Sequence, residues 1–304
     1  MTAKLNFPNF EDILVSTKTF TSSTNLDIII NQLFEELPIT PYVVFMKKRG
    51  RKKKGEEFNP NQNIAFGSII TVKYEGKIRG IEIKPKKNKT GKKNKWFRNS
   101  ISVVIILDKP INFKICRNGT FQMTGCKTNE HAEQCIKFIW EFIHDKPHLY
   151  SFKNNTNKLE TFIIPSMRNI DFSLGFFVDR EKLNKFMTTQ NKFHCLLETS
   201  FGYTGVNIKI PLENDISEME ITQLICNNDK NWEKNIIKYE YYLNLLPEKE
   251  KETKLKDAKY NTFLVFHSGK VIHSGLTDKF MKDVYYYFLE IMAECYNYIE
   301  ERLD

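Results

Sequence analysis

The chain has 304 residues, of which 41% are hydrophobic, and a net charge of +9; it can bury a full core, and its length alone allows one to three domains. Six cysteines at 116, 126, 135, 195, 226 and 295 show no close-paired spacing, and no N-terminal apolar signal precedes them. They read as reduced intracellular thiols, not as a disulfide framework, and the absence of any run of 18 apolar residues excludes a membrane-spanning helix.

In chain order, Ile13 to Phe20 reads as a strand and Asn25 to Leu37 as a helix. A strongly basic region follows: between Lys47 and Arg98 there are 18 Lys or Arg against four Glu, a local +14, so the rest of the chain sums to 9 minus 14, or −5. Its densest runs, Lys47 to Lys54 and Lys84 to Lys95, are broken by Gly, Asn or Pro and so read as loops, which serve as a phosphate-binding arm, an import signal or a solvated face. Phe66 to Val72 is an apolar strand headed by Phe-Gly, and Ile78 to Ile83 with Ile101 to Leu107 reads as an extra strand pair. Phe113 to Thr128 (FKICRNGTFQMTGCKT) reads as strand, tight turn at Gly119, strand, then Gly125 ahead of a helix.

The second half repeats these features. Phe162 to Phe172 is a strand, Asp179 to Gln190 a helix, and Phe201 to Ile210 another strand headed by Phe-Gly. An acidic stretch follows, read as helical around Asp229 to Leu246, and then Phe263 to Asp278 (FLVFHSGKVIHSGLTD) copies the hairpin with its turn at Gly269 and a second glycine at Gly275. Matching turns, glycines and following helices in one order indicate a duplicated unit, and so long a period means two pseudo-symmetric halves, not a solenoid. The halves are placed at 1–150, carrying the basic insertions, and 151–304, with an insertion at about 212–261.

These residues resemble the TATA-box-binding protein family. The resemblance is carried by Val15-Ser16-Thr17, the strand starts Phe66 and Phe201, Phe266-His267-Ser268-Gly269-Lys270 with Ser274-Gly275, and the weaker copy Cys116-Arg117-Asn118-Gly119-Thr120 with Thr124-Gly125-Cys126-Lys127. It implies an α+β saddle: a pseudo-symmetric direct repeat with one curved antiparallel sheet, helices on the convex face, and enlarged stirrup insertions at roughly 74–112 and 212–261. It also implies a transcription initiation factor without a cofactor. Its partners would be the minor groove of AT-rich double-stranded DNA, factors similar to transcription factors IIB and IIA at the stirrups, and the RNA polymerase machinery. Such enlarged copies look most like those of large DNA viruses, so the nucleus, a viral factory or the virion is the expected location.

Alternation places Thr262, Leu264, Phe266, Ile272 and Ser274 on one face of the second hairpin and Phe263, Val265, Val271 and His273 on the face toward the helices. By the resemblance, the first set meets a flattened minor groove, with Phe wedged between base steps. Phe66, Phe201 and Phe266 take wedge positions or are plain core. The remaining DNA-facing positions implied are Val15, Thr17, Lys114, Cys116, Gln122, Thr124, Lys209 and Lys270. Counted back from Gly119, Cys116 stands where Phe266 does, and Lys114 and Gln122 match Leu264 and Ile272, so the first half is the more polar. The two central Asn of the family also depart: Ile13 occupies the first place, and Ser166 or Asn169 serves the second.

Catalytic patterns fail one by one. Gly119 to Thr128 is not a phosphate loop, because Cys126 interrupts it and the segment is strand. His131 and Cys135 supply two ligands without a companion pair. Beside the DNA-binding reading stand a protein-interaction platform that has lost DNA, and an enzyme carrying a saddle-like accessory domain, for which no residues are left over.

Overall fold

The computed structural model describes residues 5–44, 61, 63–83, 97–154, 156–190, 193–198, 204–227 and 230–302. After a 3-10 turn at Phe10–Asp12 come β1 (Val15–Thr24), β2 (Leu26–Ile28), α1 (Ile30–Glu36), β3 (Ser68–Tyr74), β4 (Lys77–Gly80), β5 (Ser100–Ile106), β6 (Pro110–Cys116), β7 (Thr120–Cys126) and α2 (Asn129–Ile143). Then follow β8 (Tyr150–Phe152), β9 (Leu159–Ser173), α3 (Arg180–Thr189), β10 (His194–Glu198) and β11 (Gly205–Pro211). A second 3-10 turn, Ile216–Glu218, precedes β12 (Glu220–Cys226), β13 (Trp232–Lys238), α4 (Tyr239–Asn244), α5 (Glu248–Lys256), β14 (Tyr260–Phe266), β15 (Lys270–Gly275) and α6 (Asp278–Ile299). The fold is α+β. No described helix is long and apolar enough to cross a membrane.

The chain forms two compact units. The N-unit comprises Phe20–Ile164 and Thr222–Asn235; the C-unit comprises Met1–Thr19, Pro165–Ile221 and Ile236–Asp304. In the N-unit the strand order is β1-β7-β6-β5-β3-β4, and β12 pairs antiparallel with Leu159–Ile163 of β9. Leu33 and Phe34 of α1 and Ile136 and Ile139 of α2 bury one sheet face through Ile101, Ile105, Phe113 and Met123. In the C-unit the order is β10-β11-β14-β15-β9, and Leu183 and Met187 of α3 with Phe288 and Met292 of α6 cover Val206, Ile208, Phe263, Val265 and Val271.

Sequence explains why these helices form where they do. Asp179 caps α3, its carboxylate accepting from the Lys182 amide at 3.1 Å and holding its own pKa below the ordinary range through that bond. In α6, Met281, Tyr285, Phe288, Met292, Cys295 and Ile299 recur at three- and four-residue steps and are all buried, which gives one apolar stripe.

The duplication is visible bond by bond. The Gly119 amide donates to Cys116 O at 3.0 Å and the Gly269 amide to Phe266 O at 3.0 Å. Thr24 N donates to Gly119 O (3.2 Å) as Leu174 N does to Gly269 O (2.9 Å), and Ile28 N to Arg117 O (2.7 Å) as Val178 N does to His267 O (2.8 Å). Every one of these pairs is 150 residues apart, and so are β6 and β14, at 110–116 and 260–266.

Between those anchors the offset breaks. The strand beside β6 is β5 and the strand beside β14 is β11, and their starts differ by 205 − 100 = 105. The added residues of the N-unit therefore lie mostly before β5, and those of the C-unit after β11; the offset returns to 150 only because the two insertions are nearly equal. Ile78–Ile83 and Ile101–Leu107 consequently do not form a strand pair: β4 pairs with β3, and β5 is an inner strand between β3 and β6. The insertion at 212–259 is likewise mixed, with β12, β13, α4 and α5, because Trp232–Lys238 is a strand and only Tyr239–Asn244 of the stretch read as helical is a helix.

Part of that insertion covers α2. The Lys137 ammonium lies 5.5 Å from the centroid of the Trp232 ring, and Lys234 reaches the buried Glu133 carboxylate at 2.5 Å. Gln223 donates to Glu160 at 2.7 Å.

Candidate nucleic-acid interface

Among the described residues, each unit leaves open the sheet face opposite the helices of its core. In the C-unit the burial of β14 and β15 alternates as the sequence pattern requires, with Thr262, Leu264, Phe266, Ile272 and Ser274 half-buried and Phe263, Val265, Val271 and His273 buried. Cross-strand register sets the open residues in rows: Asn207, Leu264, Ile272 and Asp171 in one, Lys209, Thr262, Ser274 and Asn169 in the next, with Phe266 opposite Gly205. Leu196 extends the first row from the edge strand and is 63% exposed. At the end of the second row, the Lys209 ammonium lies 5.9 Å from the centroid of Tyr260, and the His194 ring meets the same tyrosine edge-on at 5.8 Å. Lys270, opposite Ser173, is exposed on the same face.

Beneath this face the floor is aromatic. The His273 ring stacks on Phe263 at 4.0 Å, and Phe263 on Phe288 at 4.0 Å. Such stacks fill the core beneath the two strands with closely packed rings.

The N-unit open face is built from the same rows but different chemistry. Lys114 lies between Ser102 and Gln122, Asn112 between Val104 and Thr124, and Cys116 is opposite Ser100. Gln122 and Thr124 are exposed, and Lys114 and Cys116 half-buried. Burial pushes the Cys116 thiol above its ordinary range, with the Lys114 ammonium opposing. On β3, Lys73 extends the Lys114 row and pairs with Glu82.

The other residues expected at the site lie elsewhere or remain undescribed. Val15 and Thr17 are half-buried on β1. Phe66 heads β3, not the strand beside the Gly119 hairpin, and its ring packs edge-on against Phe138 of α2 at 5.7 Å. The Phe-Gly reading failed there because β5 fills the place next to β6. Phe201 and the basic runs 47–54 and 84–95 lie outside the described residues. Ile13 packs against the C-unit core. Asn169 sits across from Ser274, and its side-chain oxygen is buried with no hydrogen-bond partner; Ser166 is exposed.

One residue was missed in the sequence. Phe97 is 71% exposed, three positions ahead of Ser100 on β5, with the Lys114 ammonium 3.9 Å from its ring centroid. It brings an aromatic ring beside the polar rows of the N-unit. The available signal was Trp96-Phe97 directly before the alternating strand Ser100–Ile106, masked by the lysine-rich run that precedes it.

No family model matches the chain. It is 28% identical over 216 residues to "Uncharacterized protein 335L" of Invertebrate iridescent virus 6, covering 68% of this chain and 64% of that protein. It is also 28% identical over 247 residues to "TATA-box-binding protein-like" of Acanthamoeba polyphaga mimivirus, covering 67% of this chain and 66% of that one. The match thus spans less than two thirds of either relative. Among solved structures, Methanococcus jannaschii TBP aligns with a TM-score of 0.41 at 13% identity, over 94% of this chain and 99% of its own. The resemblance to the TATA-box-binding protein family is thus joined by similarity to a viral relative whose name carries that of the family.

Proposed function

We propose that this protein is a non-enzymatic transcription initiation factor that lays the open faces of its units on the minor groove of AT-rich promoter DNA and bends it. Factors similar to IIB and IIA, and the polymerase, would then assemble on the complex, in the nucleus or a viral factory. The observation that carries this reading is the C-unit open face, where Leu196, Leu264, Ile272 and Phe266 present apolar side chains on the side of the sheet opposite α3 and α6. A soluble sheet seldom leaves such a row uncovered without a partner. A minor groove suits it, because apolar wedges unstack base steps at a few kcal/mol each and a bent duplex offsets this with added contact.

Phe266→Ala is expected to weaken binding to an AT-rich duplex by roughly 1 to 3 kcal/mol, the range for a base stacked on an aromatic side chain, and to reduce the bend measured by end-to-end fluorescence transfer. If binding and bend stayed unchanged while the melting temperature fell, Phe266 would be core and the reading lost. For the basic run, replacing Arg51, Lys52, Lys53 and Lys54 by Ser should lower the slope of log K against log salt by about 0.9 per phosphate contact removed. An unchanged slope would assign that run to solvent or import.

The polar N-unit face, with Cys116 at the position of Phe266, favours a second reading, a platform for other proteins that no longer binds DNA. A gel-shift titration on AT-rich duplex at low salt separates the two, since the platform shifts no DNA.

A further inference from the structure

The two open faces, superposed through the 150-residue offset of their hairpins, differ most in one row. Ile272 and its cross-strand neighbour Leu264 in the C-unit correspond to Gln122 and its neighbour Lys114 in the N-unit. The adjacent row is polar in both, Thr262 with Ser274 against Asn112 with Thr124. Gln122 is exposed, while Ile272 is half-buried.

In the minor groove, adenine and thymine show only acceptors, and guanine differs by adding its exocyclic N2 amine. Directly under Leu264 and Ile272 that amine would lose its water against aliphatic side chains, since the acceptors of that row, Asn207 and Asp171, stand one strand to either side. Under Gln122 it meets an amide. Rotated one way, the Gln122 Oε1 accepts from guanine; rotated the other, its Nε2 donates to adenine N3 or thymine O2. The Lys114 ammonium, resting on the Phe97 ring, donates to the ring-nitrogen and carbonyl acceptors that every base pair shows.

We infer that the DNA site is split in specificity: the stretch under the C-unit must be A·T, whereas the stretch under the N-unit accepts G·C, with Gln122 as the residue that decides. This rests on the minor-groove reading above. It makes the preferred element an AT-rich half joined to a half of relaxed sequence.

The test is a competition gel shift with the full chain and five duplexes: A·T throughout, G·C pairs in one half, G·C in the other half, and each of the last two with inosine in place of guanine. Inosine lacks the N2 amine and leaves the rest of the pair. G·C in one half is expected to weaken binding roughly tenfold or more, in line with the cost of a wrong base pair. Inosine in that half restores binding, and G·C in the other half is tolerated. Gln122→Ile should make the tolerant half discriminate, and Ile272→Gln should relax the strict one; both lie on an open face, and a melting curve checks that each variant is folded. If A·T duplex binds but G·C is penalised equally in both halves, or if neither exchange moves the pattern, the inference is overturned and the DNA-binding reading stands. If no duplex is shifted at all, both fall together.

Discussion

Gly269→Ala is expected to destabilise the protein by more than about 2 kcal/mol, clearly more than the same change at Gly125. Both glycines have positive φ, 74° and 76°, where a side chain is strained by roughly 1 to 2 kcal/mol. They differ in space. A Cβ at Gly269 would come within 2.0 Å of the Phe176 carbonyl oxygen, whereas one at Gly125 meets nothing within 4 Å. Backbone cannot rotate aside, so Gly269→Ala must break the docking of the turn on Leu174 N, and such breaks belong to the upper tail of mutational effects. Gly119, whose Cβ would lie 2.1 Å from Leu26 O, should behave like Gly269. Urea unfolding of the three alanine variants measures this; equal losses would mean that the turns do not dock as described.

Acid is expected to unfold the C-unit through His273. Its Nε2 lies 3.0 Å from Asn261 Oδ1, and Asn261 Nδ2 donates to Phe280 O, so Oδ1 is the acceptor and Nε2 carries the proton. Nδ1 is buried with no partner. Burial, and then the Arg168 guanidinium, push the pKa down from 6.5 to about 3. The unfolded chain therefore binds a proton that the folded chain refuses. The stabilisation is whole above pH 6.5 and is lost as pH falls toward about 3, at about 1.4 kcal/mol per pH unit and roughly 5 kcal/mol in all. His273→Gln keeps a donor toward Asn261 and removes the titration. Urea midpoints between neutrality and pH 4 should fall more steeply for the natural chain than for the variant; parallel profiles would show that His273 does not titrate across this range.

What the sequence disclosed, and what it hid, follows from range. The hairpins at Gly119 and Gly269 were legible because turn, alternation and glycine lie within one short window, and the pleat of Phe263 and Leu264 follows from a period of two. The strand next to the first hairpin was not, although β11 beside the second was. Nothing local distinguishes β3 from β5 as the neighbour of β6, so Phe66, which heads β3, was matched to the head of the strand beside the second hairpin. Trp232–Lys238 escaped as a strand for a related reason: most of its residues are exposed, so no apolar alternation marks it. At the open faces, the contrast of Leu264 with Lys114 and of Ile272 with Gln122 could be read directly, because it needs only the count from a shared turn.

The lacing of the insertion also imposes an order on synthesis. The N-unit is continuous from Phe20 to Ile164, but its last piece, Thr222–Asn235, leaves the ribosome 235 − 164 = 71 residues later. At 5 to 20 residues per second that interval is roughly 4 to 14 seconds. During it the outer edge of β9 at Leu159–Ile163 has no strand beside it from β12, and Glu133 waits without Lys234. Open strand edges invite pairing with other chains, so a nascent copy stalled in this window is the species most exposed to aggregation and most in need of a chaperone. A truncated product ending before Thr222 would be trapped in that state permanently.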